Sequence, residues 1–200
     1  MPDVLSRKAT KCSILMVLAV SALLAPTLPV GAQEIDEAKS LKVKAAYLYN
    51  FAKFIEWPDG AFEDEQAPFV VGVLGDDPFG QILDDTVEAK NVAQRSVKIQ
   101  RLHWNNKADR DKLKNCHILF ISASERSRLD KIFAALEECP VLVVSDIHDF
   151  ARDGGMIGFV LEKGRIAFET SREALEKAKL KASSRLLKLA RIVEPSKRSR

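Results

Sequence analysis

The stretch Cys116-His-Ile-Leu-Phe-Ile-Ser122 is a short apolar run that ends in a serine. Two other stretches, residues 69–74 and 140–145, have the same character. Apolar runs of this length without alternating polar positions are typical of strands that are buried on both faces of a parallel sheet. Segments with apolar residues at helical spacing separate the runs. The sequence therefore predicts an α/β fold with helices on both faces of the sheet.

Two further segments complete the predicted sheet. Residues 97–102 contain alternating apolar and polar side chains, and residues 156–161 and 165–169 flank Glu162-Lys163-Gly164, a sequence typical of a hairpin. The predicted architecture is three-layered, a mostly parallel sheet flanked by helices, with an antiparallel C-terminal hairpin at the edge. Ser124 is the predicted N-cap of the helix that follows residues 116–122. The predicted helices span residues 34–57, 79–89, 108–114, 124–138 and 171–193.

The N-terminal residues predict a secretory signal peptide. Basic residues precede an uncharged apolar stretch, Cys12 to Leu24, and Val30-Gly31-Ala32 provides the small residues of a cleavage site. The stretch is about thirteen residues long, and a membrane-spanning helix needs roughly twenty, so we expect cleavage and not a retained anchor. We predict residues 1–32 as signal peptide and residues 33–200 as one domain in the periplasm, with a frayed tail over residues 194–200.

The charges of the exported domain are distributed unevenly. Residues 33–170 contain 18 basic and 24 acidic residues, whereas residues 171–200 contain 10 basic and 3 acidic residues. A basic tail suits contact with nucleic acid, anionic lipid or an acidic partner. Export makes nucleic acid an unsuitable ligand. The tail is therefore either a solvated helix face or a surface that contacts a partner.

The polar residues do not form a catalytic set that we recognise. Ser145-Asp146-Ile147-His148-Asp149 contains a hydroxyl, two carboxylates and an imidazole. However, neighbours in sequence usually diverge in space, and the Gly-x-Ser-x-Gly elbow is missing. The three histidines lie on different segments, without the spacing of metal ligands. We therefore expect a protein that is not an enzyme and that uses no cofactor and no metal.

Ligands of open α/β sheets bind beyond the carboxyl ends of the parallel strands. The predicted strands end at Gly75-Asp76-Asp77, at Ser122-Ala123-Ser124-Glu125 and at Ser145-Asp146. Aromatic residues of the first helix form a second candidate contact surface, for which core packing is the alternative. The predicted residues for binding a ligand or partner are Phe51, Trp57, Asp76, Pro78, Phe79, Ser122, Ser145 and Asp146.

Two cysteines, Cys116 and Cys139, remain after removal of the signal peptide. Each stands at the start of a predicted strand, and a right-handed crossover often makes two such strands neighbours. Neighbouring strands lie about 4.8 Å apart, which suits the Cα spacing of a disulfide, roughly 4.4–6.8 Å. The sequence therefore allows a disulfide between Cys116 and Cys139, with two buried thiols as the alternative.

Several motifs together resemble the YfiR family of periplasmic regulators, over residues 42–193. The motifs are the segment from Lys44 to Pro58 (KAAYLYNFAKFIEWP), GVLGDDPFG at 72–80, CHILFIS at 116–122, VVSD at 143–146, GGMIGFV at 154–160 and RIAFE at 165–169. Each motif alone is common, but the combination is specific. The resemblance implies an α/β domain that works in the periplasm as a regulator and not as a catalyst.

The resemblance also implies partners. It implies binding to the periplasmic part of an inner-membrane signalling protein, a diguanylate cyclase or a histidine kinase, which the domain restrains. It further implies an outer-membrane lipoprotein that relieves the restraint, a homodimer, and control of cyclic di-GMP and biofilm formation. The best-understood member has two disulfides, whereas this chain has cysteines for one. The residues themselves leave an alternative open, a periplasmic small-ligand-binding protein that uses the carboxyl ends of the strands.

Overall fold

The structure, a computed structural model, describes residues 31–105 and 107–196. The predicted signal peptide, residues 1–32, lies almost wholly outside these described residues, as does most of the predicted frayed tail, residues 194–200. Among the helices that the structure describes, none has both the length and the apolar character needed to cross a membrane.

Helices and strands alternate along the described chain. The helices are α1 (Gly31–Phe54), α2 (Gln81–Val87), α3 (Lys107–Leu113), α4 (Leu129–Ala135), α5 (Arg172–Lys177) and α6 (Ser184–Leu189), and a 3-10 helix, Ala123–Arg128, precedes α4. The strands are β1 (Ile55–Glu56), β2 (Phe69–Leu74), β3 (Asn91–Val92), β4 (Arg95–Leu102), β5 (Ile118–Ile121), β6 (Leu142–Ser145), β7 (Ile157–Glu162), β8 (Arg165–Thr170), β9 (Lys181–Ala182) and β10 (Arg191–Ile192).

Eight of the described strands form one sheet in the order β10-β8-β7-β6-β5-β2-β4-β3. The pairs from β4 through β2, β5 and β6 to β7 are parallel, whereas β7 and β8 form an antiparallel hairpin. The mostly parallel sheet and the C-terminal hairpin are therefore confirmed. The two-residue strand β10 pairs in parallel with β8 on its outer side. The sheet therefore ends at β10, and the hairpin lies one strand inward from this edge.

The centre of the sheet is buried on both faces. Every residue of β5 and β6 is buried, and five of the six residues of β2 are buried. Successive side chains of a strand point to opposite faces, so continuous burial requires cover on each face. Phe79, in the loop before α2, supplies part of this cover, because its ring packs edge-on against Phe120 of β5 at 4.8 Å.

Helix α1 packs an aromatic surface against the hairpin. The ring of Phe51 lies 5.9 Å from that of Phe159 in β7 and 5.1 Å from that of Phe168 in β8. The helix ends at Phe54 and not at the predicted Trp57, because the next two residues pair with β9 as strand β1. The apolar residues that recur at helical spacing here form a stripe, of which Leu41 is half-buried and the others are buried, namely Ala45, Leu48, Ala52 and Ile55.

The predicted helix over residues 171–193 is wrong. Helix α5 ends at Lys177, and Lys179 has a positive φ of 58°, which a helix does not accept. The chain then forms β9, and Ser183 starts α6 by accepting a hydrogen bond from a backbone N–H of that helix. Leu189, which a continuous helix would place on the same face as the buried Leu186, is 70% exposed.

The predicted helix over residues 124–138 is shorter and begins differently. The 3-10 helix occupies Ala123–Arg128, and α4 then continues to Ala135. Ser124 does not cap α4 as predicted. Its Oγ instead accepts a hydrogen bond from the backbone N–H of Asp76 at 3.0 Å. This contact joins the segment after β5 to the turn after β2.

Candidate functional site

The carboxyl ends of β2, β5 and β6 form one row, because the last residues of these strands pair with one another in register. The next residues, Gly75, Ser122 and Asp146, therefore stand side by side at the end of the sheet. The structure thus brings together four of the predicted site residues, Asp76, Ser122, Ser145 and Asp146. We call this row and its turns the carboxyl edge.

The turn after β2 fits closely against the 3-10 helix. Asp76 donates its backbone N–H to Ser124, and Gly75 has a φ of 90°. A Cβ at Gly75 would lie 2.4 Å from Ser124 Oγ. Glycine is therefore required there both for its conformation and for its small size. The side chains of Asp76 and Pro78 are exposed beyond this contact.

Arg101 of β4 holds the remainder of the turn. Its Nε donates to Asp77 at 2.7 Å, and its Nη2 donates to Asp84 at 2.5 Å and to the carbonyl of Gly80 at 2.8 Å. The hydrogen bond from the guanidinium holds the pKa of the Asp84 carboxyl below its usual range. Asp77 and Asp84 are therefore both engaged in fixing the turn, and Arg101 stabilises the charged form of Asp84.

The turn after β6 is fixed by a hydroxyl and an ion pair. Ser145 is fully buried, and its Oγ donates to the carbonyl of Ile121 at 2.6 Å and accepts from the N–H of Ile147 at 3.1 Å. Asp146 accepts a hydrogen bond from Lys44 Nζ at 2.6 Å. Both side chains of that pair are mostly buried, Lys44 being 15% and Asp146 26% exposed. The pair joins the carboxyl edge to α1.

The groups of the carboxyl edge are bonded to one another and do not form a nucleophile with its base. The buried Ser145 hydroxyl bonds to backbone groups, and the exposed His148 Nδ1 lies 2.9 Å from the carboxylate of its neighbour Asp149. Among the described residues, no group of three or more His, Cys, Asp or Glu is placed to hold a metal ion. The arrangement suits recognition through exposed groups such as Asp76.

Phe51 and Trp57 lie away from the carboxyl edge, whereas Phe79 lies in the turn after β2 with its ring packed into the core. Phe51 and Phe79 are core residues with 0% and 2% exposure. For Phe51, core packing is therefore the correct alternative, and the residue is not part of an exposed contact surface. Trp57 lies at the opposite end of β2, where its ring meets that of Phe69 at 5.0 Å. The buried Trp57 Nε1 has no hydrogen-bond partner among the described residues.

His117 fastens the amino ends of β2 and β5. Its Nδ1 accepts the backbone N–H of Val70 at 3.0 Å, and its Nε2 lies 3.1 Å from the carbonyl of Ala61, to which the neutral ring donates. The ring is stacked on Phe62 at 4.2 Å and on Phe69 at 4.9 Å. Burial lowers the pKa of His117 and favours the neutral form. We call this cluster the amino edge.

Both cysteines are free in the structure. Strands β5 and β6 are neighbours, as the sequence argument requires. However, the Cys116 sulfur is directed to β2, since a Cβ on Gly72 would lie 2.6 Å from it. Burial raises the pKa of the Cys116 thiol to about 12. The disulfide with Cys139 stays a prediction. A count of thiols under denaturing, non-reducing conditions distinguishes it from the free thiols of the structure.

Sequence reasoning missed Lys44 and Arg101, two charged residues that organise the carboxyl edge, and it placed Glu125 at a strand end without assigning it a role. Glu125 is 5% exposed, and both of its carboxylate oxygens accept hydrogen bonds from Arg128. A usable signal existed for Lys44, because it is a cation within the apolar stripe of α1. Buried lysines are almost always paired, so a carboxylate partner was to be expected.

Comparison with models of known protein families identifies a family for this chain. A family model described as YfiR/HmsC-like matches residues 41–191, a span that begins within α1 and ends at the first residue of β10. The match therefore covers both the carboxyl edge and the amino edge. None of the curated proteins matches the chain.

Proposed function

Because this chain belongs to the YfiR/HmsC-like family, we propose that it regulates diguanylate cyclase signalling from the periplasm. It binds and restrains the periplasmic part of an inner-membrane protein. The first candidate for that protein is a diguanylate cyclase, and the second is a histidine kinase. The family match over residues 41–191 carries this proposal. The proposed unit is the single exported domain over residues 33–200, free to form a homodimer.

The bonding at the carboxyl edge supports a binding role. The hydroxyl of Ser145 and the carboxylates of Asp77 and Asp84 hold turns in place. Rigid turns of this kind keep exposed side chains in a fixed arrangement, which lowers the entropy cost of binding a partner. Of the predicted contact residues, Asp76 and Pro78 are exposed and available to a partner.

The proposed mechanism is a shift between two states of the membrane protein. A regulator that binds the inactive state more tightly than the active state increases the inactive population. The restraint ends when a competitor removes the regulator, and an outer-membrane lipoprotein is the proposed competitor. The size of the effect is limited by the difference between the two affinities.

The bonding within the edge turn favours this proposal over a small-ligand-binding protein. Backbone N–H groups beyond parallel strands are the usual donors to small anionic ligands. Here the N–H of Asp76 is bonded to Ser124, and the N–H of Phe79 is bonded to Asp77. These donors would have to leave their present acceptors before they could hold a ligand.

Deletion of the gene in its native host tests the proposal. We expect cyclic di-GMP to rise several-fold, because the restraint on the cyclase is lost, and to return when the gene is supplied in trans. Crosslinking of the tagged protein should recover a membrane protein with a cytoplasmic cyclase domain. Unchanged cyclic di-GMP together with no crosslinked membrane protein would contradict the proposal.

A further inference from the structure

A groove lies between α4 and α5, apart from both edges of the sheet. Its volume is about 380 Å³. Its lining includes the buried side chains of Leu136, Val143 and Met156 and the half-buried ring of Phe133. Covering apolar surface that borders solvent with another apolar group removes it from water, which lowers the free energy. The groove therefore suits an apolar side chain from another molecule.

The rim of the groove is acidic. Glu137 and Glu138 stand on the side of α4, and Glu173 and Lys177 stand on the side of α5. Glu173 is already paired with Lys177 at 2.6 Å. In the part of the chain that the structure describes, Glu137 and Glu138 take part in no ion pair. The net charge of the rim is therefore negative and comes from these two residues.

The position of these two glutamates does not stabilise the domain. They follow the last residues of α4, and an acidic group at the carboxyl end of a helix is repelled by the helix dipole. Glu138 also has a positive φ of 61°, a conformation that glycine adopts with less strain. The negative potentials of the carboxylates and of the helix end add at one end of the groove.

We propose that this α4–α5 groove is the docking surface for a cationic, amphipathic segment of the protein partner. An apolar side chain of that segment enters the groove, and flanking lysine or arginine side chains pair with Glu137 and Glu138. The apolar contact supplies most of the affinity, whereas the charges select the partner and speed association. The identity of the partner as a membrane signalling protein rests on the function proposed above.

A binding experiment with a synthetic peptide tests the groove. The probe is an amphipathic helix of leucine and lysine, compared with the same helix in which glutamate replaces lysine. We expect the lysine peptide to bind and the glutamate peptide not to bind. The double variant Glu137→Lys, Glu138→Lys should bind the lysine peptide at least about tenfold more weakly, whereas the matched variant Glu63→Lys, Glu65→Lys in an exposed loop should bind normally.

The variant Ala174→Trp distinguishes the contribution of the groove to binding from that of the surface charge. Ala174 lines the groove, so a tryptophan there should fill the groove and abolish binding without changing the charge. Circular dichroism and thermal unfolding of each variant verify the fold. Equal weakening by the two double variants, or full binding by Ala174→Trp, would overturn the proposal. Binding that appears only after removal of residues 197–200 would assign the groove to the chain's own tail, and would also overturn it.

The same variants in the native host separate this inference from the proposed function. Glu137→Lys, Glu138→Lys should raise cyclic di-GMP as deletion does, whereas Glu63→Lys, Glu65→Lys should not. If deletion raises cyclic di-GMP and the rim variant does not, the groove is not the docking surface and the proposed function stands. If deletion has no effect, the proposed function fails, and the peptide experiment still decides whether the groove binds cationic segments.

Discussion

The two ends of the central strands are closed by different means. At the carboxyl edge, Gly75, Ser124 and Ser145 form close contacts between backbone and hydroxyl groups, with partly solvated ion pairs around them. At the amino edge, one neutral histidine is stacked on Phe62 and Phe69 and holds two backbone groups. The carboxyl edge therefore depends on backbone geometry, whereas the amino edge depends on the protonation of one ring.

Two glycine substitutions, one at the carboxyl edge and one near the amino edge, should show the largest difference in the free energy of unfolding. Gly75→Ala imposes a side chain at a φ of 90° and 2.4 Å from Ser124 Oγ. Gly60→Ala, near the amino edge, has a φ of 84° but no atom within 4 Å. We expect a loss of about 3 kcal/mol in the free energy of unfolding for Gly75→Ala and about 1 kcal/mol for Gly60→Ala. Urea denaturation measures both, and equal losses would show that the contact with Ser124 is loose.

Replacement of the histidine should have the next largest effect. His117→Phe keeps the stacked ring but removes the acceptor of the Val70 N–H and the donor to the Ala61 carbonyl. We expect a loss of about 2 kcal/mol in the free energy of unfolding, because part-buried backbone groups lose their partners. The control is His148→Phe, at a side chain that is 83% exposed, which should change stability little. Similar losses for both variants would mean that the two hydrogen bonds contribute nothing.

The sheet could be predicted because burial on both faces leaves a plain pattern in the sequence. The runs at residues 69–74, 116–122 and 140–145 contain β2, β5 and β6, and Glu162-Lys163-Gly164 marked the hairpin. Parallel strands end on the same side of a sheet, so the residues that follow these runs were expected at one end of the sheet, where the structure places them.

The remaining features depend on contacts between segments that are distant in sequence. Lys44 and Asp146 are 102 positions apart, and Ser124 has a helix-capping sequence but bonds to the turn after β2. The break at Lys179 contains neither glycine nor proline, so the helical spacing of residues 171–193 continued across it. Local patterns specify which residues are apolar, but they do not specify which distant group a polar side chain meets.

The amino edge should also make stability depend on pH. Burial holds the pKa of His117 in the folded protein below its ordinary value of about 6.5, and the positive charge of Arg95 acts in the same direction. The unfolded chain therefore binds more protons than the folded chain below about pH 6.5, so the free energy of unfolding falls as the pH decreases through this range. Above that pH the contribution is constant.

Unfolding measured on either side of pH 6.5 tests this dependence. The difference in stability between the wild type and His117→Phe should shrink as the solution becomes acidic, because only the wild type loses the histidine contribution. The subtraction cancels the carboxylates that both proteins share. A constant difference over this range would show that the ring keeps its proton affinity when it is buried, and the pH-dependent character assigned to the amino edge would be wrong.

The smallest effect should come from the ion pair between Lys44 and Asp146. A double-mutant cycle with Lys44→Met and Asp146→Asn should give a coupling energy of about 0.5–1 kcal/mol, because partly exposed pairs are weakened by solvent. The same cycle on the more exposed pair of Lys177 and Glu173 should give about 0.3 kcal/mol. Added salt should reduce the second coupling more than the first, since burial protects the first pair from screening. Equal salt dependence would place Lys44 and Asp146 in the same solvent environment as the helix pair. The carboxyl edge would then rest on Gly75, the hydroxyl contacts and the bonds of Arg101.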